Sequence, residues 1–433
     1  MESRLANSLA RKFFLRILKG LPEGCVELVE GAQTYHLGSP ASETRAVLAV
    51  HNERFYLRAA LGGSTGIGEA YMDGDWSTPD LVGLLRLGVR NIGHLEAGSS
   101  TLSSVRRLLN RIQHRQHKNT LAGSRRNIAA HYDLGNSFYR LFLDENLAYS
   151  SAYFGAPEDS LDRAQIRKFD LICRKLQLGP REHLLEIGTG WGGFAAYAAS
   201  AYGCRITTTT ISQAQHEYAR ERFAQMGEAA RGIELLNEDY RQLRGQYDRI
   251  VSIEMFEAVG LEHYDDFFGA CDRLLRPGGA MLLQAITMNE RRFPTYHRGS
   301  DWIQKYIFPG AELASLSEVL RSLGRVTQMG LHHLEDIGMH YAATLREWRS
   351  RFLNRLEEVR ELGYSDRFLR MWDYYLAYCE AGFHERYIGD VQLLLTKLPN
   401  LRALWKEPAW LAEAMAEESS GEPLRNLPSA ETG

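Results

Sequence analysis

The feature that most constrains this chain is Glu186-Ile-Gly-Thr-Gly-Trp-Gly-Gly193. It follows an apolar strand candidate, His183–Ile187, and precedes a helical stretch, Phe194–Tyr202. Glycines at a strand end let the backbone turn tightly and approach a ligand, and the helix N-terminus that follows favours negative groups. Further strand candidates are Arg205–Ser212, Ile233–Asp239, Tyr247–Phe256 and Ala280–Thr287, with helical stretches between them such as Gln213–Met226. Such alternation predicts a mostly parallel sheet with helices on both faces, a Rossmann-like α/β fold. A tight turn without a ligand is the bland alternative, and four glycines around a tryptophan are costly for that purpose alone.

Gly188, Gly190 and Gly193 also fit the GxGxxG pattern of dinucleotide sites. Such a site wants an acid about 20 residues on for the ribose hydroxyl, and here that place is Thr207-Thr-Thr-Thr210. The acid instead precedes the first glycine, as Glu186. That arrangement is similar to S-adenosylmethionine enzymes, which have no pyrophosphate to cradle. Asp239, ending the third strand, is then placed to meet the adenine amino group.

Composition narrows the rest. Lys plus Arg is 51 against 54 for Asp plus Glu, a net charge of −3, which excludes a globally basic nucleic-acid binder. The five cysteines form no CxxC pair, so a disulfide framework is not expected and a reducing cytosol fits. No apolar run reaches the roughly 18 residues of a membrane span, and Arg11, Lys12 and Arg16 interrupt the first apolar stretch, so no signal peptide is read. Residues 5–21 read as a basic amphipathic helix, with Leu5, Leu9, Phe13, Ile17 and Leu21 on one face. It suits either an anionic lipid surface or, slightly favoured, docking on its own domain. Over 25–75, Val26–Val29, Val47–Val50 and Phe55–Arg58 read as strands. Gly62-Gly-Ser-Thr-Gly66 matches a hydrolase elbow in letters only, because more glycines follow it; a flexible turn is expected.

Residues 97–132 carry seven Arg or Lys and no acid. No aromatic residue interleaves the charges, so lipid headgroups are favoured over nucleic acid. After 340 the chain reads as helical and aromatic, and 417–433 as a disordered tail. The domain reading is 1–115 for a smaller N-terminal α+β unit that engages lipid, 116–400 for the catalytic unit and 401–433 for a C-terminal tail.

Further segments point to a family. They are His131-Tyr-Asp-Leu-Gly-Asn136, Tyr149-Ser-Ser-Ala-Tyr-Phe154, Thr210-Ile-Ser-Gln-Ala-Gln215, and Asp248–Ser252 with Met255-Phe-Glu257. Ile303–Pro309, His340–Leu345 and Tyr374–Phe383 complete the set, in unbroken order with the glycine loop. With these the chain resembles the cyclopropane-fatty-acyl-phospholipid synthases and the related mycolic acid cyclopropane synthases and methyltransferases. The resemblance implies a Rossmann-like S-adenosylmethionine-dependent methyltransferase fold. It implies that Tyr149 and Ser150 close over the methionine end of the cofactor and that Gly188, Thr189 and Gly190, with Gly192 in the same loop, line its carboxylate and amino group. Thr210, Ile211, Ser212 and Gln215 would take the ribose, and Asp239 and Tyr240 the adenine.

The chemistry of such an enzyme is demanding. A cis double bond is a weak nucleophile and attacks only a strongly electrophilic methyl. The chain carbocation that results must be shielded from water, and ring closure needs a base. Tyr153, Phe154, Phe256, Trp302, Tyr306, Phe308 and Tyr341 offer aromatic faces to a cation, or are ordinary core. The resemblance implies a bound bicarbonate as the base. Its holders would be Glu257, Tyr341, the backbone of Ser151 and Ile286, and a histidine whose place is taken by Gln284. An amide donates to an oxyanion but cannot share a proton as imidazole does. Cys379 matches a cysteine associated with the active site, and equally suits a buried thiol. Glu254, within one strand-to-helix turn of Glu257, is expected to face elsewhere. The resemblance further implies an unsaturated phospholipid substrate, peripheral contact with the inner face of the membrane from the cytoplasm, a homodimer and no nucleic acid. Ring closure is the first expectation. A methyl or methylene branch without a ring is the alternative, kept open by Gln284, and a lipid- or cofactor-binding protein without catalysis is the third.

Overall fold

The computed structural model describes residues 2–39, 41–98, 134–299, 301–399 and 405. The basic segment lies almost wholly outside them, as do the tail and the expected boundaries near residues 115 and 400.

The first part of the chain forms a four-stranded sheet in the order β2-β1-β3-β4, from β1 (Cys25–Glu30), β2 (Gln33–Gly38), β3 (Arg45–Val50) and β4 (Trp76–Ser77). β1 runs antiparallel to β2 and parallel to β3. The basic amphipathic stretch is a helix, Glu2–Lys19, docked on its own unit: Ala10 and Leu18 are buried, and Arg11 donates to Glu30 at 2.8 Å. Leu5 and Leu9, toward its start, stay 66% and 59% exposed.

Phe55–Arg58 is not a strand, and the glycine-rich run after it is not a flexible turn. Both lie in one helix, Arg54–Met72, kinked at Gly63 (φ 57°). The glycines serve close approach. A Cβ on Gly68 would lie 2.6 Å from the Trp302 indole, so the absence of a side chain lets this helix seat against Trp302 and Tyr374.

The larger sheet has the order β10-β11-β9-β8-β5-β6-β7. Its parallel part is β5 (His183–Ile187), β6 (Arg205–Thr209), β7 (Ile233–Leu236), β8 (Tyr247–Ile253) and β9 (Leu275–Met288). The expected strands are all present, most of them a few residues shorter at the C-terminal end than read. β10 (Met329–Asp336), outside the strands read from the sequence, and β11 (Ile388–Lys397), within the stretch after 340 read as helical, add an antiparallel edge. The result is an α/β fold. Leu184, Leu185, Ile250 and Leu282 are fully buried, as strands covered on both faces require.

Chain order reverses at β5, which has β6 on one side and β8 on the other. Ligands of open α/β sheets bind in the crevice at such a point, beyond the strand C-termini. The other wall is the helix Asp366–His384, held by the N-terminal part. Tyr71 donates to Asp373 at 2.6 Å, Arg349 donates to the other oxygen at 2.7 Å, and Arg86 and Arg90 both bind Glu385. One hydrophobic core therefore runs from Leu28 and Trp76 through Phe138 and Trp302 to Trp372.

Candidate active site

The glycine loop leaves β5 with left-handed backbone at Gly188 (φ 103°), Gly190 (φ 54°) and Gly192 (φ 81°). A Cβ on Gly192 would lie 2.9 Å from the Phe223 ring, so only glycine lets the loop start the helix Gly193–Tyr202 there. Glu186, before the loop, is buried and accepts the Thr208 hydroxyl at 2.5 Å; burial pushes its carboxyl up to about 8. Thr210 donates to Gln215 at 3.0 Å, and Ser212 caps the helix Gln213–Met226. Asp239 is held by Arg241 through two side-chain bonds of 2.7 and 2.8 Å.

Gly188, Gly190, Glu186, Thr210, Gln215, Asp239 and Arg241 face one cavity of about 550 Å³. Tyr149, Ser150, Gly188, Thr189 and Gly190 line it at the loop, and Thr210, Ile211, Gln215, Asp239 and Tyr240 line its far side. Glu254, Glu257, Ile286, Tyr341 and Cys379 line it centrally. Ser151, Gly192, Ser212 and Gln284 stand behind that lining. The cavity continues between the helices Leu81–Arg90 and Asp366–His384, where Leu85, Val89, Ile92, Tyr378 and Phe383 give it apolar walls. Of the aromatic residues singled out in the sequence, Phe308 and Tyr341 reach the cavity, as Ile303 and Pro309 beside Phe308 do. Phe256 and Trp302 are buried core side chains, and Tyr153, Phe154 and Tyr306 also lie off the cavity. Tyr149, Tyr375 and Phe383 supply the missing faces; the Tyr149 and Tyr375 hydroxyls are 2.9 Å apart, and Tyr341 stacks on Phe383 at 4.5 Å.

The polar centre is an acidic cluster with one cation. Glu254 does not face elsewhere. It accepts from the Ser151 backbone N–H (2.8 Å) and Gln284 Nε2 (2.7 Å) on one oxygen, and from the Tyr341 hydroxyl (2.7 Å) on the other. Ile286 N donates to Glu257 at 2.5 Å, while Glu257 Oε2 is buried with no hydrogen-bond partner among the described residues. Burial first, then the charge of Glu254, pushes the Glu257 carboxyl up to about 8. Asp390, fully buried, accepts from Gln284 Nε2 at 3.1 Å; burial and its two acidic neighbours hold its carboxyl well above the usual range. Burial lowers the Lys168 ammonium to about 8, against the pull of Glu254, Asp144 and Asp390. Lys168 is fully buried and donates to Ser150 Oγ at 2.6 Å, and Gln165 Nε2 donates to the Ser150 carbonyl at 2.8 Å. The helix Leu161–Lys175 thereby fixes the segment that presents the Ser151 N–H.

Sequence reasoning missed Lys168, Asp390 and the central place of Glu254. Lys168 reads as one more polar residue of a charged helix. Glu254 carried one signal: it sits at a strand-to-loop corner three residues before Glu257. Cys379 lines the cavity with its thiol pushed up by burial, which makes it a poor nucleophile at neutral pH.

The bicarbonate expected from the resemblance does not fit this arrangement. Ser151 N, Tyr341 Oη and Gln284 Nε2 are engaged by the Glu254 carboxylate, and Ile286 N by Glu257.

The family described as mycolic acid cyclopropane synthetase matches residues 119–393. The chain is 39% identical over 342 residues to the tuberculostearic acid methyltransferase UfaA1 of Mycobacterium tuberculosis, covering 77% of this chain and 79% of that protein. It is 37% identical over 353 residues to the cyclopropane-fatty-acyl-phospholipid synthase of Escherichia coli K12, covering 80% and 86%. The solved structure of mycolic acid cyclopropane synthase CmaA1 complexed with SAH and CTAB superposes with a TM-score of 0.59 at 32% identity, over 63% of this chain and 98% of that one.

Proposed function

The chain belongs to the mycolic acid cyclopropane synthetase family and is an S-adenosylmethionine-dependent, lipid-modifying enzyme of the methyltransferase class; from that premise we propose that it methylates the cis double bond of a phospholipid acyl chain and closes a cyclopropane ring by proton removal. The observation that carries this reading is the single cavity in which the glycine loop, the acidic cluster and an apolar channel meet.

When bound, S-adenosylmethionine supplies an electrophilic methyl group, which the double bond accepts to leave a carbocation on the acyl chain. Tyr149, Ser150, Gly188, Thr189 and Gly190 hold its methionine end, Thr210 to Gln215 its ribose, and Asp239 and Tyr240 its adenine. The loop suits that task because its backbone, freed of side chains, opens toward the cavity at a helix N-terminus. Leu85, Val89 and Ile92 line the acyl channel, so the N-terminal part and the helix Asp366–His384 orient the substrate together. Tyr149, Tyr341, Tyr375, Phe308 and Phe383 exclude water and turn aromatic faces to the developing cation. Proton removal then falls to the buried acids. The enzyme works at the membrane surface from the cytoplasmic side, with Leu5 and Leu9 in contact with lipid. Among the described residues no helix is long and apolar enough to cross a membrane.

A second reading has its own support. Gln284 and Glu254 give the base a different surrounding from a histidine site, and one relative is named a methyltransferase rather than a ring-forming synthase. A 1,2-hydride shift from the methylated carbon to the cationic one, followed by loss of a proton from the transferred methyl, would leave a methylene branch.

Expression in a host lacking such lipids, fed methyl-labelled methionine, separates the two. A labelled CH₂ with cyclopropane protons in the phospholipid fatty acids is expected. A labelled open-chain branch would establish the second reading, and unlabelled lipid would overturn both.

A further inference from the structure

We propose that Glu254 is the resident base of this site: its carboxylate fills the place of an external anion such as bicarbonate and itself takes the proton released from the methylated acyl chain. This rests on the methyl-transfer reading above.

The first argument is geometric. A peptide N–H, a phenol and an amide converge on one carboxylate, which is how a protein holds an anion out of water. The amide cannot turn round. Gln284 Oε1 accepts from Gln392 Nε2 at 3.0 Å, Gln392 Oε1 accepts from Lys175 Nζ at 2.7 Å, and Lys175 also binds Glu335. Gln284 therefore presents its NH₂ to Glu254 and can take no proton from it.

The second argument is backbone cost. Glu254 has φ 49°, the left-handed region that a non-glycine residue adopts only at an energetic cost. Such an outlier, persisting at a cavity wall, points to a use for the side chain.

The third is the charge inventory. Lys168 is the buried cation that Glu254, Asp144 and Asp390 share, and Glu257 adds a further carboxyl beside Glu254. Three hydrogen-bond donors make Glu254 the carboxylate that keeps the negative charge, while Glu257 and Asp390, each accepting from one N–H among the described residues, hold protons. Burial raises the basicity of the ionised Glu254, which suits removal of a carbon-bound proton.

The step balances without a further reagent. The carboxylate takes one proton from the transferred methyl. The electron pair of that C–H bond forms the last C–C bond of the ring and discharges the cation. Glu254 ends as a neutral acid beside Asp390 and returns the proton to solvent between turnovers.

The test uses the full-length protein, unsaturated phospholipid vesicles, methyl-labelled S-adenosylmethionine and buffer stripped of carbon dioxide. Wild-type turnover is expected to be unchanged by added bicarbonate, and ¹³C-bicarbonate NMR is expected to show no binding to the wild type. Glu254→Gly, which relieves the left-handed backbone, should fall by about 10²-fold or more. It should bind ¹³C-bicarbonate and recover with it at least about tenfold, a fraction of that loss. Glu254→Gln, of the same shape but unable to act as the base, should be as inactive and show no recovery. Bicarbonate binding to the wild type, stimulation of its turnover, or an active Glu254→Gln would overturn the proposal. The NMR arm decides it even where no lipid is methylated, an outcome that would instead refute the proposed function.

Discussion

Tyr341→Phe isolates one interaction of the acidic cluster. The ring stays, stacked on Phe383 at 4.5 Å and edge-on to Trp348 at 6.0 Å, so packing is preserved. What goes is the hydroxyl that donates to Glu254 at 2.7 Å. Burial and the Glu254 charge keep this phenol protonated far above neutral pH, so it is a donor throughout the working range. A hydrogen bond to a charged group contributes roughly 1.5–3 kcal/mol, and one pKa unit corresponds to about 1.4 kcal/mol. Losing the donor therefore raises the pKa of the Glu254-centred cluster by about one to two units. The sign follows from the role. A base must be ionised, so the rate falls as pH drops through its pKa, and a raised pKa moves that acid limb to higher pH. The assay is the pH dependence of kcat/KM for labelled-methyl transfer to lipid. The limb should shift upward by one to two units, with the rate on its alkaline side close to wild type and cofactor affinity unchanged. The limb belongs to the cluster as a whole, because Asp390 and Glu257 share its protons. An unmoved limb would refute the argument. So would an equal loss at every pH, which would mean that Tyr341 acts on substrate rather than on the carboxylate.

Other parts of the site can be tested independently. Glu257→Gln stays neutral at all pH and should retain cofactor binding while erasing the inflection near pH 8, where the wild-type carboxyl is neutral below and ionised above; an inflection that survives would belong to Lys168. Gly192→Ala places a Cβ 2.9 Å from Phe223 on a backbone with φ 81° and should weaken S-adenosylhomocysteine binding by about tenfold in calorimetry, consistent with a cost of 1–2 kcal/mol; unchanged affinity would mean the loop does not hold the cofactor. Replacing the exposed Leu5 and Leu9 by glutamate should reduce sedimentation with anionic vesicles and leave the melting temperature in place, and equal sedimentation would remove the first helix from the membrane contact.

How much of this was legible in the sequence depends on which physical signal each residue carries. The parallel half of the large sheet was legible because its strands are short apolar runs separated by helices, and the glycine loop marks where the first strand ends. β11 was not, since Val391–Leu395 follows a long aromatic helix and continues its apolar character with no change of period. Phe55–Arg58 misled in the opposite sense: aromatic residues favour strands in isolation, yet the helix is decided by packing of Phe55 and Tyr56 into the core. The glycines of 62–68 read as turn punctuation because local rules cannot see Trp302 arriving from more than two hundred residues away. The cofactor residues lie in runs that a linear reading recovers. The base cluster does not, because it joins residues from a loop, the corner after one strand, the interior of another and two helices: Ser151, Glu254, Gln284, Tyr341 and Lys168. Resemblance supplied Ser151, Gln284 and Tyr341 as groups around an external anion. It could not supply Glu254, because the matched segments assign that position no role and its donors come from three separate parts of the chain. Only the hydrogen bonds, together with a glutamate on left-handed backbone, bring Glu254 into view. A corner where a side chain sits on left-handed backbone while several donors converge on it is therefore where a role can lie that matching of linear segments leaves out.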